Sequence, residues 1–170
     1  MEITVECQLL GGCLIGAQRV EFALYGIVAH LSHLPEAKEK RFRDLTPEIF
    51  LRGDPKELKS TLGQIEKAFG KKLNISNDDL TKFIDDRNLI AHNYYRMTRK
   101  GIRDAHQLDN PENFLRSFLK SCEYWESILN GLLCLMMVAL AERYNRMDEI
   151  KLNSKQKSDM DAYLNHRKTA

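Results

Sequence analysis

The chain is short of the residues that build β-structure, secreted scaffolds and membrane spans. It has four prolines and nine glycines in 170 residues. Alternation of β-branched residues is almost absent, which excludes a sandwich or barrel of short strands. The four cysteines are Cys7, Cys13, Cys122 and Cys134. No two form a Cys-x-x-Cys pair and none stands beside a histidine at a zinc-site spacing, so neither a disulfide framework nor a metal centre is expected. All four lie in apolar stretches, the pattern of reduced, buried thiols in a cytosolic protein. An excess of one charge is also missing. Lys and Arg number 26 and Asp and Glu 24, leaving a net charge of +2, so any attraction for nucleic acid must be local.

No apolar run is long and clean enough for an expected membrane span. Residues 9–31 carry Arg19 and Glu21, and the nearly uncharged stretch 128–141 has only 14 residues, against the about 20 a span requires. Both are expected as helices buried on several sides. The opening Met-Glu-Ile-Thr-Val-Glu has no basic leader before an apolar run, so no secretory signal is expected. With 43% apolar and 29% charged residues and a mean hydropathy of −0.45, the composition is that of a globular protein rather than a disordered or integral membrane one, and the thiol pattern makes a cytoplasmic location the expectation.

What the chain does have is helical periodicity. Leu9, Cys13, Gly16, Val20, Ala23, Ile27, Leu31 and Leu34 recur at steps of three and four and predict a first helix from about Val5 to Leu34, closed by Pro35. Residues 35–53 form a connector whose charge run, Lys38 to Arg43, reads as a solvated loop. Asp54-Pro55-Lys56-Glu57 is a helix start, and Leu58, Leu62, Ile65 and Phe69 mark its buried face up to Gly70. Ser76 or Asn77 caps a third helix, Asp78 to about Arg96. Asn110-Pro111-Glu112 opens a last long helix reaching toward Arg146. The expected fold is all-α: an up-and-down helical bundle of four main helices plus short helical turns over residues 1–150. Residues 151–170 follow as a polar tail, poorly ordered or a short surface helix.

The third helix carries the anomaly. Leu80, Phe83, Ile84, Ile90, Ala91 and Tyr94 fall on one apolar stripe at helical spacing, and Arg87 lies in its middle. Burying an unpaired charge costs on the order of several kcal/mol. The side chain therefore snorkels out or pairs with a buried acid, or it is held rigidly at a partly desolvated site to bind an anion. His92 lies beside the stripe. Asn88 precedes it by one turn and can orient the imidazole, an arrangement suited to proton transfer. On a straight α-helix Arg87 and His92 point about 140° apart with about 7.5 Å of rise between them. To act together they need the helix to end near His92, or a second copy of the site across a symmetric interface. The wide apolar faces of residues 9–31 and 128–141 point the same way, to a homodimer. Arg96, Arg99, Lys100 and Arg103 follow with no acid among them. That run is a common solvated helix end, and beside an Arg/His pair it is also a plausible phosphate-binding rim. Tyr94 and Tyr95 suit base stacking or core packing. His30, His33, His106 and His166 are expected as surface or packing residues.

Arg87-Asn88-Leu89-Ile90-Ala91-His92 resembles the R-x4-6-H signature of HEPN-domain proteins, and Asn93-Tyr94 extends the likeness to R-x4-H-x-Y, the form found in HEPN toxins paired with nucleotidyltransferase antitoxins. The resemblance covers the architecture of roughly residues 5–146. It implies a HEPN-like bundle that dimerises so that two motifs line one cleft, and a metal-independent endoribonuclease without cofactors. The RNA 2′-hydroxyl would attack the adjacent phosphate, leaving a cyclic phosphate and a free 5′-hydroxyl. His92 would be the acid/base group, Arg87 would stabilise transition-state charge, and Asn88 would position one of them. Tyr94 would be a site-lining residue or the target of modification by the antitoxin. Arg96, Arg99, Lys100 and Arg103 would bind RNA. Two alternatives stand beside this. One is a HEPN dimerisation or adaptor module that binds RNA, nucleotide or a partner protein without cutting. The other is a plain helical interaction protein in which Arg87 is a buried salt-bridge residue.

Overall fold

In a computed structural model, residues 2–31, 77–98 and 107–169 are described. They form helices and turns with no strand among them. We number the helices α1 (Ile3–Leu31), α2 (Asn77–Asn88), α3 (Tyr94–Thr98), α4 (Pro111–Arg143) and α5 (Ser154–Thr169). A π-helical turn, Leu89–Asn93, joins α2 to α3 without a break, and a 3₁₀ turn, Met147–Glu149, precedes α5. The all-α expectation holds for these residues. Leu34, Pro35, the connector 35–53 and the expected helix from Asp54 to Gly70 lie outside them.

The core is an axis of two long helices. Cys13, Ala17, Val20, Leu24 and Ile27 of α1 pack with Leu115, Phe118, Cys122, Trp125, Leu129 and Leu132 of α4, all buried. The register is set by small residues. A side chain on Gly12 would meet Leu119, one on Gly16 would meet Cys122 at 3.0 Å, and one on Gly26 would meet Leu133. These pairs advance together along both helices, so α1 and α4 run parallel. In an up-and-down order of the four expected helices the first and last would run antiparallel. The structure corrects that order, because the sense of a packed pair depends on the intervening connections and not on the periodicity of either helix. Phe83 of α2 stacks on Phe118 of α4 with ring centroids 5.2 Å apart. Leu80, Ile84, Ile90 and Tyr94 complete this side of the core.

The α4 termini follow local rules. Asn110 caps the start, its side chain accepting from the Asn113 amide at 3.0 Å, with Pro111 in the first turn. At the other end Asn145 adopts φ 54°, and the Asn145 and Arg146 amides donate to Glu142 and Ala141 carbonyls at 3.1 and 2.8 Å. This is a Schellman ending with Asn in the left-handed position. It stops the helix at Arg143, three residues before the expected Arg146. By length and composition α4 could cross a membrane. It packs against helices on two sides: α1 on one, α5 on the other.

The tail takes the second of its two expected forms, a helix, but it is docked on the bundle rather than lying free on the surface. Residues 154–169 form a regular helix packed antiparallel on α4, with Asp159, Tyr163 and His166 buried. Asp159 accepts from the Ser127 hydroxyl at 2.6 Å and from Lys155 at 2.7 Å, and the Tyr124 hydroxyl lies 2.6 Å from His166 Nδ1. The His166 ring also meets Trp125 edge-on at 5.9 Å. His166 is therefore a packing residue. The start of α5 is a reciprocal capping box: the Gln156 amide donates to the Asn153 side chain, and the Asn153 amide to the Gln156 side chain, both at 2.9 Å.

Candidate functional site

Arg87 sits at the last full turn of α2, and its side chain is 15% exposed. Its Nε donates to Glu21 Oε1 of α1 at 2.7 Å, and its Nη1 donates to Asn88 Oδ1 at 3.1 Å. Glu21 is itself buried. The charge flagged by the helical wheel thus has a buried acid as partner, as one of the two readings of the sequence required. The two residues are 66 apart in the chain. The signal that could have found Glu21 is the same as for Arg87: an acid inside the apolar run of residues 9–31.

Pairing does not exhaust the guanidinium. Arginine has five N–H donors; bonds to Glu21 and Asn88 occupy two, and no other described residue accepts from the rest. Of the two groups Asn88 was expected to position, it hydrogen-bonds the arginine and not the histidine.

The π turn changes the relation of Arg87 to His92. In an α-helix, residues three and four apart share a face. In a turn closed by i→i+5 hydrogen bonds, residues five apart approach that relation. Arg87 and His92 are five apart, and the turn Leu89–Asn93 spans most of the interval. By ideal geometry such a turn reduces the roughly 140° separation that two residues five apart have on a straight α-helix. Ile90 and Tyr94, on either side of His92, are both buried. His92 is exposed and makes no hydrogen bond or ion pair with another described residue. The site therefore combines an anchored, half-buried guanidinium with a free imidazole one turn away.

Other expected site residues fare differently. Tyr94 is 5% exposed and belongs to the core. Its place in the apolar stripe prevails, and a buried phenol is not available for modification or for lining an open cleft. Tyr95, at 69%, is the exposed tyrosine of the pair. Arg96 is exposed on α3. Arg99, Lys100 and Arg103 lie outside the described residues, as do His33 and His106. His30 bonds its own helix, Nδ1 lying 2.9 Å from the Gly26 carbonyl.

No group of His, Cys, Asp and Glu that could hold a metal occurs among the described residues. Three cysteines are buried as expected, but Cys7 is exposed on α1. Burial pushes the Cys13 thiol up to about 11 and Cys122 to about 12, so neither is a nucleophile at neutral pH. A cleft lined by Met137, Leu140, Ala141, Tyr144, Arg146, Glu149 and Ile150 lies at the far end of α4 and includes none of the motif residues. No family model matches the chain, no curated protein matches it, and no solved structure matches it.

Proposed function

We propose that the chain is a metal-independent endoribonuclease of HEPN type, acting as a homodimer in the cytoplasm within a toxin–antitoxin or other defence system. The observation that carries this reading is the π turn between Arg87 and His92, a geometry in which residues five apart lie nearer one side than on an α-helix, together with the bonds from Glu21 and Asn88 that hold the guanidinium. In this mechanism His92 accepts the proton of the RNA 2′-hydroxyl as that oxygen attacks the adjacent phosphorus. Arg87 donates to the non-bridging oxygens as negative charge builds on them. The 5′-oxygen leaves and takes up a proton, giving a cyclic phosphate and a 5′-hydroxyl. Exposed Arg96 would contact the strand beyond the scissile phosphate.

The homodimer is supported by α1, where Leu14, Ile15 and Phe22 stand exposed on one side of the helix, Phe22 at 68%. Apolar residues so disposed offer a surface that a second copy of the chain would cover. A nucleotidyltransferase-type antitoxin remains part of this proposal through the R-x4-H-x-Y likeness, without Tyr94 as its target.

One observation favours a second reading. Arg87 is paired with the buried carboxylate of Glu21, and a paired guanidinium attracts a phosphate less than a lone one does. A plain helical interaction protein in which Arg87 is a buried salt-bridge residue fits that pairing, beside the non-catalytic HEPN-like module that binds RNA, nucleotide or protein. Incubation of the purified chain with single-stranded RNA in EDTA separates the readings. Cutting that leaves cyclic phosphates and is lost in His92→Ala supports the nuclease. RNA binding without cutting by the wild-type chain supports the module. Neither cutting nor binding overturns both of these and leaves the plain helical interaction protein.

A further inference from the structure

We propose that Glu21 is a positioning residue for the reaction, one that sets the orientation of Arg87 rather than cancelling its charge; this rests on the ribonuclease reading above. The geometry that suggests it is the way the pair is made. Glu21 Oε1 accepts from Nε, the donor nearest the aliphatic stem, at 2.7 Å. Asn88 Oδ1 takes one Nη1 donor. A planar guanidinium held at Nε and at one terminal nitrogen cannot rotate about its last stem bonds, and its remaining donors keep a fixed direction. Glu21 projects from α1, the helix that forms half of the core axis, and both its carboxylate and its backbone are buried. Asn88 is on the same helical rod as Arg87 and immediately precedes the π turn. The guanidinium is thereby referenced to the core through Glu21 and to the His92 turn through Asn88.

Orientation and neutralisation make opposite demands on residue 21. Orientation needs an acceptor at the right reach; it does not need a charge. Neutralisation needs a charge near the guanidinium and tolerates a shift in its position. Glu21→Gln keeps the reach and an accepting oxygen but removes the charge. Glu21→Asp keeps the charge but withdraws the acceptor by about 1.5 Å, one carbon–carbon bond. A misplacement of that size at a reacting group typically costs on the order of 10²-fold in rate.

The test is steady-state cleavage of an RNA oligonucleotide in EDTA by wild type, Glu21→Gln and Glu21→Asp, each first shown to be folded by helical circular dichroism and a cooperative melt. Expected are a kcat for Glu21→Gln within about threefold of wild type with KM not raised, and a kcat for Glu21→Asp lowered by about 10- to 100-fold at similar KM. A Glu21→Asp variant as active as or more active than Glu21→Gln overturns the positioning role and leaves the nuclease reading standing. So does an effect of either variant confined to KM. A wild-type chain that cuts no RNA overturns the nuclease reading first, and the role of Glu21 falls with it.

Discussion

Gly131 of α4 lies directly against the backbone carbonyl of Asp159 in α5: a side chain at residue 131 would collide with that carbonyl and reach Tyr163 Cβ at 3.0 Å. The two helices touch backbone to backbone at this point, and the contact sets how deeply Asp159, Tyr163 and His166 are buried.

Gly131→Ala therefore tests the docking of the tail helix. In an open helix position glycine to alanine gains about 1 kcal/mol; here the added methyl has no room, and overpacking costs about 1–3 kcal/mol. The expected outcome is a melting temperature lowered by several degrees, with earlier proteolysis within residues 154–169. Gly11→Ala is the control, since a side chain there meets nothing within 4 Å, and it is expected to stabilise. A rise in melting temperature for Gly131→Ala would contradict the docked helix.

The capping box at the start of α5 gives a second, independent test. Replacing Asn153 with Ala removes the acceptor for the Gln156 amide and is expected to cost about 1 kcal/mol, the usual loss for a helix cap. Asn153→Asp keeps an acceptor and should hold stability within a few tenths of that of wild type. Urea denaturation of the three proteins reads the difference. Equal loss in both variants would mean that the box does not start the helix.

These two sites also show where the sequence was readable and where it was not. The start of α4 was legible because Asn-Pro-Glu before an apolar run is a local signal, and the structure uses Asn110 and Pro111 as that signal implies. Arg87 was legible as an anomaly because a charge in the middle of an apolar stripe violates a periodic pattern. Its partner was not, because nothing local links residue 87 to residue 21. The docking of the tail helix was not legible because only a few apolar residues, Tyr163 the only one fully buried among those described, mark its inner face. Its docking relies on buried polar bonds from Asp159 and the Tyr124–His166 pair instead. Its one local signal, Asn153 followed three residues later by Gln156, stood in a stretch without an apolar run. The π turn has no residue signature at all: Leu-Ile-Ala-His-Asn contains no breaker, and Ile90 and Tyr94 would share the buried stripe on a straight α-helix as well. The antiparallel sense expected for the first and last helices failed for a different reason, since helical periodicity carries no information about chain direction.

The buried thiols give the chain a stability that declines in alkali. Burial raises Cys13 from 9.0 to about 11, and burial first, with the neighbouring Cys13 thiol second, raises Cys122 from 9.0 to about 12. Both groups hold their protons more tightly folded than unfolded, so their contribution is fully present below pH 9 and is lost as pH rises through 11 to 12. At about 1.4 kcal/mol per unit, each amounts to a few kcal/mol at most. Thermal melts of wild type and Cys13→Ala across pH 8–11 are expected to show a shallower decline for the variant. At pH 8 a soluble thiol reagent should modify exposed Cys7 rapidly and the three buried cysteines only on unfolding. Rapid modification of two or more thiols in the folded chain would refute the burial described.

The two motif residues should separate cleanly in stability, and that separation decides how any activity loss is to be read. His92 is exposed and bonds to no other described residue. His92→Ala is therefore expected to change stability by less than about 0.5 kcal/mol, as surface substitutions do. Arg87→Ala leaves the Glu21 carboxylate buried without its cation, and breaking a pair of this kind costs about 3–5 kcal/mol. The 15% exposure of Arg87 places the expected loss toward the lower end. A loss of cutting in Arg87→Ala alone would thus be ambiguous between chemistry and unfolding, whereas a loss in His92→Ala with an unchanged melt is chemical. Arg87→Ala combined with Glu21→Ala removes both charges at once and should recover part of the lost stability. If the double variant is folded and still inactive, the guanidinium is needed for the reaction itself. If it regains cutting, Arg87 serves the core and the phosphate is handled elsewhere.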